Sequence, residues 1–197
     1  MKTTYSDMQL DALRELANIG SGTAATALST MLARPIDVSV PAALALPLAD
    51  AVDAAGDPAT PVTAVVLPIF GDIDAIVLLL FPPDDAAALC TLLGVEADTE
   101  VGISALSEIG NILGSAYVGA LGTMTGLDVE PAPPEAASDM LGAIVATVLA
   151  TGAEESDVAL MLDSDLTVEG EHCSFQFMLV PSRGGIGHVL AGLGLAE

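Results

Sequence analysis

Two stretches of the chain carry the same acidic and amide side chains at the same spacing. The first covers residues 11–18 (DALRELAN) and the second covers residues 104–111 (SALSEIGN). In each copy a proline follows the asparagine after 22 intervening residues, at Pro41 and Pro134. The offset is 93 residues at every matched position, and a fixed period of this kind indicates internal duplication.

An acid and an amide lie about one helical turn apart in each copy. Positions i, i+4 and i+7 of an α-helix fall along one stripe, so Asp11, Glu15 and Asn18 point in one direction. The second copy repeats this stripe with Ser104, Glu108 and Asn111. One amphipathic helix would show such residues to water by chance, but two copies at matched spacing argue for a site. The chain has no other asparagines, so composition does not explain the repeated amide.

The whole pattern is Asp or Ser, three residues, Glu, two residues, Asn, 22 residues and Pro. It resembles the duplicated signature of the CheC, CheX and FliY phosphatases, whose target is the phosphorylated aspartate of a CheY-type receiver domain. Both copies fit without a gap, and the surrounding repeats extend from about Asp11 to about Pro181. The resemblance implies a chemotaxis phosphatase, a hydrolase of two-component signalling, with two Glu/Asn sites.

The resemblance also implies a role for each motif residue. Asn18 and Asn111 would orient the hydrolytic water, because an amide both donates and accepts hydrogen bonds. Glu15 and Glu108 would pair with the receiver's lysine and dock the helix. A supporting role falls to the remaining positions of the pattern: Asp11, Ser104, Pro41 and Pro134. No metal or cofactor is expected on this chain, and Mg²⁺ would belong to the receiver.

Two rival interpretations use the same helices. The chain could be a non-catalytic adaptor that binds the deamidase CheD or a receiver domain. It could also be a motor-switch component resembling FliM or FliN, but those proteins as a rule lack paired Glu/Asn sites. Other enzyme classes fit poorly, because no GxSxG motif, phosphate-binding loop or dinucleotide fingerprint stands in the required context.

The charge of the chain excludes a large class of functions. Four basic residues stand against 27 acidic ones, which gives a formal net charge of −23 at pH 7. Nucleic-acid binding is excluded, because neutralising phosphates requires lysine and arginine. A charge excess this large repels itself at low ionic strength. We therefore predict a halophilic origin, in the high-salt cytoplasm of an archaeon, where screening relieves the repulsion.

Location and metal binding are also constrained by composition. No apolar run reaches the 18 or so residues of a membrane span, and the N-terminus has no apolar signal core. A cytoplasmic protein without membrane insertion is expected. Cys90, Cys173, His172 and His188 do not have the spacing of a metal site, so we predict buried reduced thiols and no transition-metal site.

The predicted fold is α+β: one internally duplicated, pseudo-two-fold domain over residues 1–197, with long helices packed on a mostly antiparallel sheet. Repeat 1 would cover about 6–94 and repeat 2 about 95–181, before a glycine-rich tail, 182–197, with little fixed structure. The predicted helices are Ser6–Leu32, Leu48–Ala55, Asp84–Leu93, a helix from Thr99 or Ser104 to Thr125, and Asp139–Leu149, the last possibly a buried strand, with Ser138 as N-cap. The predicted strands are Ile36–Val40 ended by Pro41, Val62–Phe70, Ala75–Phe81, Leu127–Glu130, Asp157–Leu162 and Cys173–Val180, with a connector over residues 163–171.

Overall fold

The structure, a computed structural model, describes residues 5–150, 158–168 and 171–195. In chain order the elements are α1 (Asp7–Leu32), β1 (Ile36–Pro47), α2 (Leu48–Ala55), β2 (Pro61–Gly71), β3 (Ala75–Phe81), α3 (Pro83–Leu92), α4 (Glu100–Thr125), β4 (Val129–Pro131), β5 (Glu135–Met140), α5 (Leu141–Val148), β6 (Val158–Val168), β7 (Glu171–Pro181) and α6 (Gly185–Gly192). The strands of this described part pair antiparallel throughout, so the predicted α+β class is confirmed.

The edge strands of each copy pair with strands of the other copy. Its order is β1-β6-β7-β3-β2, and β4 and β5 lie end to end along the outer edge of β2. Thus β1 of the first copy pairs with β6 of the second, while β4 and β5 of the second copy pair with β2 of the first. Because each copy completes the other's sheet, the repeat boundaries near residue 94 do not separate two structural units; they stay a prediction about the sequence.

The long helices α1 and α4 match in length and register. Each has 26 residues, and both ends are offset by 93 residues (100 − 7 and 125 − 32). Ser6 and Gln9 form a capping box at the start of α1, and the Thr99 hydroxyl accepts a 3.1 Å hydrogen bond from the Gly102 N–H in α4. No helix within the described ranges combines the length and apolar character needed to cross a membrane.

Helices cover both faces of the sheet. The face under α1 and α4 holds the larger core, which includes Leu13 and Leu106 and extends to α3 and α6. The opposite face is covered by α2 and α5 through residues such as Ala51 and Leu141. Since strands buried on both faces need apolar side chains at nearly every position, β3 reads AIVLLLF without alternation.

Pro41 and Pro134 lie at matching bulges in the edge strands. Over residues 39–42, β1 has one residue more than its partner β6. Over residues 131–135, the edge formed by β4 and β5 likewise has one residue more than β2. A bulge tolerates proline because the missing N–H is not needed for pairing. The prediction that Pro41 ends the strand is wrong, since β1 continues to Pro47.

Two further boundaries differ from the sequence-based expectation. Ser138 does not cap a helix: it lies in β5, where its hydroxyl is 2.8 Å from that of Thr63, and α5 begins at Leu141. The predicted connector over residues 163–171 is largely strand, because β6 runs to Val168 with alternating outward and buried side chains. The predicted start of that strand, Asp157, lies outside the described residues.

The C-terminal segment contains a helix, so the expectation of little fixed structure after residue 181 is wrong. Three apolar side chains of α6 at helical spacing enter the main core: Ile186, Val189 and Leu190. The Gln9 side chain, at the start of α1, donates a 3.2 Å hydrogen bond to the Leu195 carbonyl. The high glycine content of this segment masked its helical period.

Candidate functional site

The two long helices meet at Gly20 and Tyr117. A Cβ atom at Gly20 would overlap the Tyr117 ring and lie 3.0 Å from the Tyr117 Cα, so this approach requires glycine. The Tyr117 ring also packs on Phe177, with 4.5 Å between ring centroids. The contact fixes α1 against α4 two residues after Asn18 and six residues after Asn111.

The predicted acid and amide residues lie on the outer side of these helices. Glu15, Asn18 and Glu108 are exposed, whereas Asn111 is half-buried. Among the described residues, no hydrogen bond or ion pair joins the motif residues of α1 to those of α4. Each candidate site is therefore built within a single helix, with the acid and amide brought together by helical spacing alone.

The exposed acids are not engaged within the protein. In the part of the chain that the structure describes, neither Glu15 nor Glu108 has a hydrogen-bond or ion-pair partner. Arg14, the basic residue beside Glu15, instead forms an ion pair with Asp11, with 2.8 Å between Nη1 and Oδ1. Both glutamates are therefore free to accept a cation from another molecule.

The four positions assigned a supporting role are divided between the helices and the sheet. Asp11 and Ser104 are exposed on α1 and α4, in line with the acid and amide of their own copy. Pro41 and Pro134 lie in the sheet, in the bulges of the edge strands. Their supporting role remains a prediction.

The second site rests on a closer contact between helix and sheet. A Cβ atom at Gly110 would lie 2.7 Å from the Cβ of Val65, so the backbone of α4 touches β2 at the residue before Asn111. The first copy has Ala17 at the position of Gly110, and that residue is also fully buried. The helix that carries Asn111 is thus held against the sheet directly beside the amide.

Comparison with known proteins places this arrangement in a family. A model described as the CheC-like family matches the chain twice, at residues 8–44 and 101–137, again 93 residues apart. The CheY-P phosphatase CheC of Bacillus subtilis (strain 168) is 32% identical over 166 residues, which cover 80% of this chain and 79% of that protein. The chain belongs to the CheC-like family.

Solved structures share the CheC-like fold more widely than they share its sequence. FliY of Thermotoga maritima matches with a TM-score of 0.74 at 16% identity, covering 99% of this chain and 100% of that one. The FliM middle domain from H. pylori matches with a TM-score of 0.67 at 10% identity, covering 95% and 99%. A chain of the CheX–CheY–BeF₃–Mg²⁺ complex from Borrelia burgdorferi reaches 0.52 at 14% identity, covering 86% and 97%. These likenesses concern the fold alone, so function must be argued from the side chains on α1 and α4.

Each stripe of acid and amide side chains continues towards the N-terminus of its helix with one exposed apolar side chain. The sequence did not single out these two residues. Met8 is 68% exposed and Val101 is 62% exposed, and the two occupy equivalent positions (101 − 8 = 93). Each lies two helical turns before the glutamate of its own copy, on the same side of the helix. Extending the 93-residue register towards the N-terminus would have found this pair.

Other features of this CheC-like chain lie apart from the stripe. A cavity of about 780 Å³ lies between β5, the edge of β2 and the α3–α4 connection, and none of the motif residues lines it. Cys90 and Cys173 are buried, and burial raises the pKa of both thiols, which keeps them protonated and unreactive. Within the described ranges, no group of three or more His, Cys, Asp or Glu side chains could hold a metal ion.

Proposed function

We propose that this chain hydrolyses the phospho-aspartate of a CheY-type response regulator. The observation that carries the proposal is the pair of exposed Glu/Asn stripes, placed at the same register on two matched helices. The name of the Bacillus subtilis relative, CheY-P phosphatase CheC, supports the same activity. The proposal gives each helix one site: Glu15 with Asn18, and Glu108 with Asn111.

Hydrolysis of the substrate requires few catalytic groups from the phosphatase, because the substrate is already activated. An aspartyl phosphate is an acyl phosphate, so hydrolysis needs chiefly a water held in line with the phosphorus. The Asn18 or Asn111 amide holds that water through its donor and acceptor atoms. Water attacks phosphorus, the bond between phosphorus and the aspartyl oxygen breaks, and the aspartate leaves as a carboxylate together with inorganic phosphate.

The glutamates act in docking. Glu15 and Glu108 lack an internal partner in the described structure, so each is available to the receiver's lysine. A hydrogen bond between charged groups is stronger and shorter than a neutral one, and it fixes the helix on the receiver with the amide over the phosphoryl group. Met8 and Val101 add apolar contact area at the other end of each stripe. The Mg²⁺ that neutralises phosphoryl charge is supplied by the receiver.

Phosphate release from a phosphorylated CheY-type receiver tests this proposal. Wild type is compared with Asn18→Ala/Asn111→Ala in high salt, where the net charge of −23 is screened. Wild type should accelerate phosphate release. With the folded double variant, the receiver should release phosphate no faster than it does alone. The matched control is Thr30→Ala/Thr123→Ala, which truncates exposed side chains at another equivalent pair (123 − 30 = 93) and should keep full activity.

Folding of both double variants is checked by circular dichroism and thermal melting. If the folded Asn18→Ala/Asn111→Ala protein still accelerates release, the assignment of the asparagines is wrong. If wild type itself has no effect on several receivers, the phosphatase proposal fails. The helices would then be docking surfaces for a receiver or for CheD, and direct binding would be measured next.

A further inference from the structure

The two asparagines differ in what their side chains contact. Ser115 lies one helical turn after Asn111, and its hydroxyl donates a hydrogen bond to the Asn111 Oδ1, with 3.4 Å between the oxygens. The equivalent position in α1 is Gly22, which has no side chain, and Asn18 has no side-chain partner among the described residues. The chain therefore holds one amide in place and leaves the other unheld.

Ser115 donates to a side chain, whereas most helical hydroxyls that donate a hydrogen bond in the described part of the chain do so to a backbone carbonyl. Six helical threonines donate to the backbone carbonyl four residues earlier: Thr23, Thr26, Thr30, Thr91, Thr125 and Thr147. Ser21, three residues after Asn18, likewise donates to the Asn18 backbone carbonyl at 2.9 Å. A backbone carbonyl is the usual local acceptor for a helical hydroxyl. The hydrogen bond from the Ser115 hydroxyl to the Asn111 side chain is thus specific to the second site.

We propose that Ser115 is a positioning residue that orients the Asn111 amide for catalysis, and that Gly22 leaves the first site without this device. The inference rests on the proposed phosphatase function. The terminal torsion of asparagine is broad and two-fold, so an unheld amide samples orientations that cannot hold the water in line. The Ser115 contact restricts this torsion: in the structure Oδ1 faces Ser115 and retains a second lone pair, while both Nδ2 protons remain free.

The expected effect is modest because a separation of 3.4 Å is long for a bond between two oxygens. Holding an amide already near its working geometry should change the rate of the chemical step by about threefold, the lower end of what one hydrogen bond contributes. Docking of the receiver should not change, since Glu108 makes that contact. The signature is a lower kcat with an unchanged KM.

Single-site proteins separate this effect from the activity of the other copy. In the Asn18→Ala background, Ser115→Ala should lower kcat about threefold at constant KM. In the Asn111→Ala background, Gly22→Ser should raise kcat relative to Gly22→Ala, the control for the added Cβ and the better helix former. A Cβ atom at Gly22 would meet nothing within 4 Å, so both substitutions fit.

A measurement that needs no enzymatic activity uses the scarcity of asparagine. Selective ¹⁵N labelling of asparagine gives only two side-chain NH₂ groups, those of Asn18 and Asn111. Heteronuclear relaxation should show the Asn111 amide as the more ordered of the two in wild type, and as more mobile after Ser115→Ala, while the Asn18 amide stays unchanged. Equal mobility in wild type would overturn the inference.

The activity outcomes are equally decisive. If the Asn18→Ala and Asn111→Ala proteins are active but Ser115→Ala leaves kcat unchanged, or Gly22→Ser equals Gly22→Ala, Ser115 is not a positioning residue although the proposed function stands. If neither single-site protein accelerates phosphate release although wild type does, the two sites do not act independently and the inference about Ser115 fails. If wild type is inactive as well, the proposed function fails.

Discussion

The two copies agree at the acid and amide of the long helices and differ at the point where those helices cross. Outside, Glu15 and Asn18 match Glu108 and Asn111 in type and register. At the crossing of the helices, by contrast, α1 contributes Gly20 and α4 contributes Tyr117, whose equivalents in the other copy are Leu113 and Ala24. Core positions accept many apolar substitutions if volume is kept, whereas a matched exposed acid and amide have no folding role to explain them. The difference supports the proposed role of the duplicated acid and amide, because packing alone does not require them.

The largest expected effect tests the packing of the two helices, and it comes from replacing Gly20 in α1 with leucine, the equivalent residue of α4. Gly20→Leu places a side chain where even a Cβ atom would meet the Tyr117 ring and backbone. We expect the free energy of unfolding to fall by about 3 kcal/mol, at the upper end of what overpacking costs. Urea denaturation monitored by circular dichroism measures this change.

A matched control and a rescue make the Gly20 prediction specific. Gly22→Ala changes a helical glycine in open space, so stability should stay equal or rise by up to about 1 kcal/mol. Tyr117→Ala should recover part of the loss caused by Gly20→Leu, because it removes the ring that the new side chain meets. If Gly20→Leu costs no more than the control, the helices do not approach each other as described.

The functional half is tested by removing the docking charge from each copy in turn. In single-site proteins, Glu15→Gln with Asn111→Ala, and Glu108→Gln with Asn18→Ala, should each raise KM about tenfold, in keeping with the loss of a charge-assisted hydrogen bond. The kcat should change little, because the asparagine that holds the water remains. Steady-state phosphate release at varied receiver concentration separates the two constants.

The control for the glutamates is Glu130→Gln, which removes an exposed carboxylate from β4 rather than from the stripe. Its KM should match that of the parent at every salt concentration. The tenfold difference at Glu15 and Glu108 should shrink as salt screens the ion pair. A drop in kcat with constant KM would instead give the glutamates a role in the chemical step.

Much of the fold followed from the 93-residue register. Sequence patterns placed both ends of α1 and the end of α4 to within one residue. They left the start of α4 open between Thr99 and Ser104, and the structure has Thr99 as the cap. The exchange of edge strands was out of reach, since local pattern says that β1 is a strand but not that its partner is β6. The bulge at Pro41 was misread for the same reason, because proline signals both the end of a strand and a bulge.

The candidate site shows a similar division. The acid and amide were found because helical spacing alone aligns them, and side chains on one helix need no tertiary contact to share a face. The contact of Ser115 could not be predicted, because sequence does not say whether its hydroxyl bonds the backbone or the Asn111 side chain. Asn111 is half-buried whereas Asn18 is exposed, and that difference depends on tertiary packing, which no local pattern encodes.

The smallest expected effect at neutral pH concerns the Tyr117 hydroxyl, which the equivalent residue Ala24 lacks. Burial raises the pKa of Tyr117 to about 12, and the nearby Ser164 hydroxyl offsets part of the rise. Among the described residues, neither hydroxyl has a hydrogen-bond partner of normal length. Tyr117→Phe should therefore stabilise the protein by about 1 kcal/mol at pH 7, because an unsatisfied buried group is removed.

Alkaline pH should widen this difference. Between the ordinary pKa of tyrosine, near 10, and its raised value in the folded protein, the unfolded chain loses the phenolic proton while the folded chain keeps it. The unfolded state then binds fewer protons, so the free energy of unfolding is unaffected by this titration below about pH 10 and falls as pH rises towards 12. Denaturant unfolding from pH 7 to pH 11.5 should show wild type falling faster than Tyr117→Phe. Parallel curves would mean that water reaches the hydroxyl, and the contact between α1 and α4 would then be looser around Tyr117 than its fit against Gly20 requires.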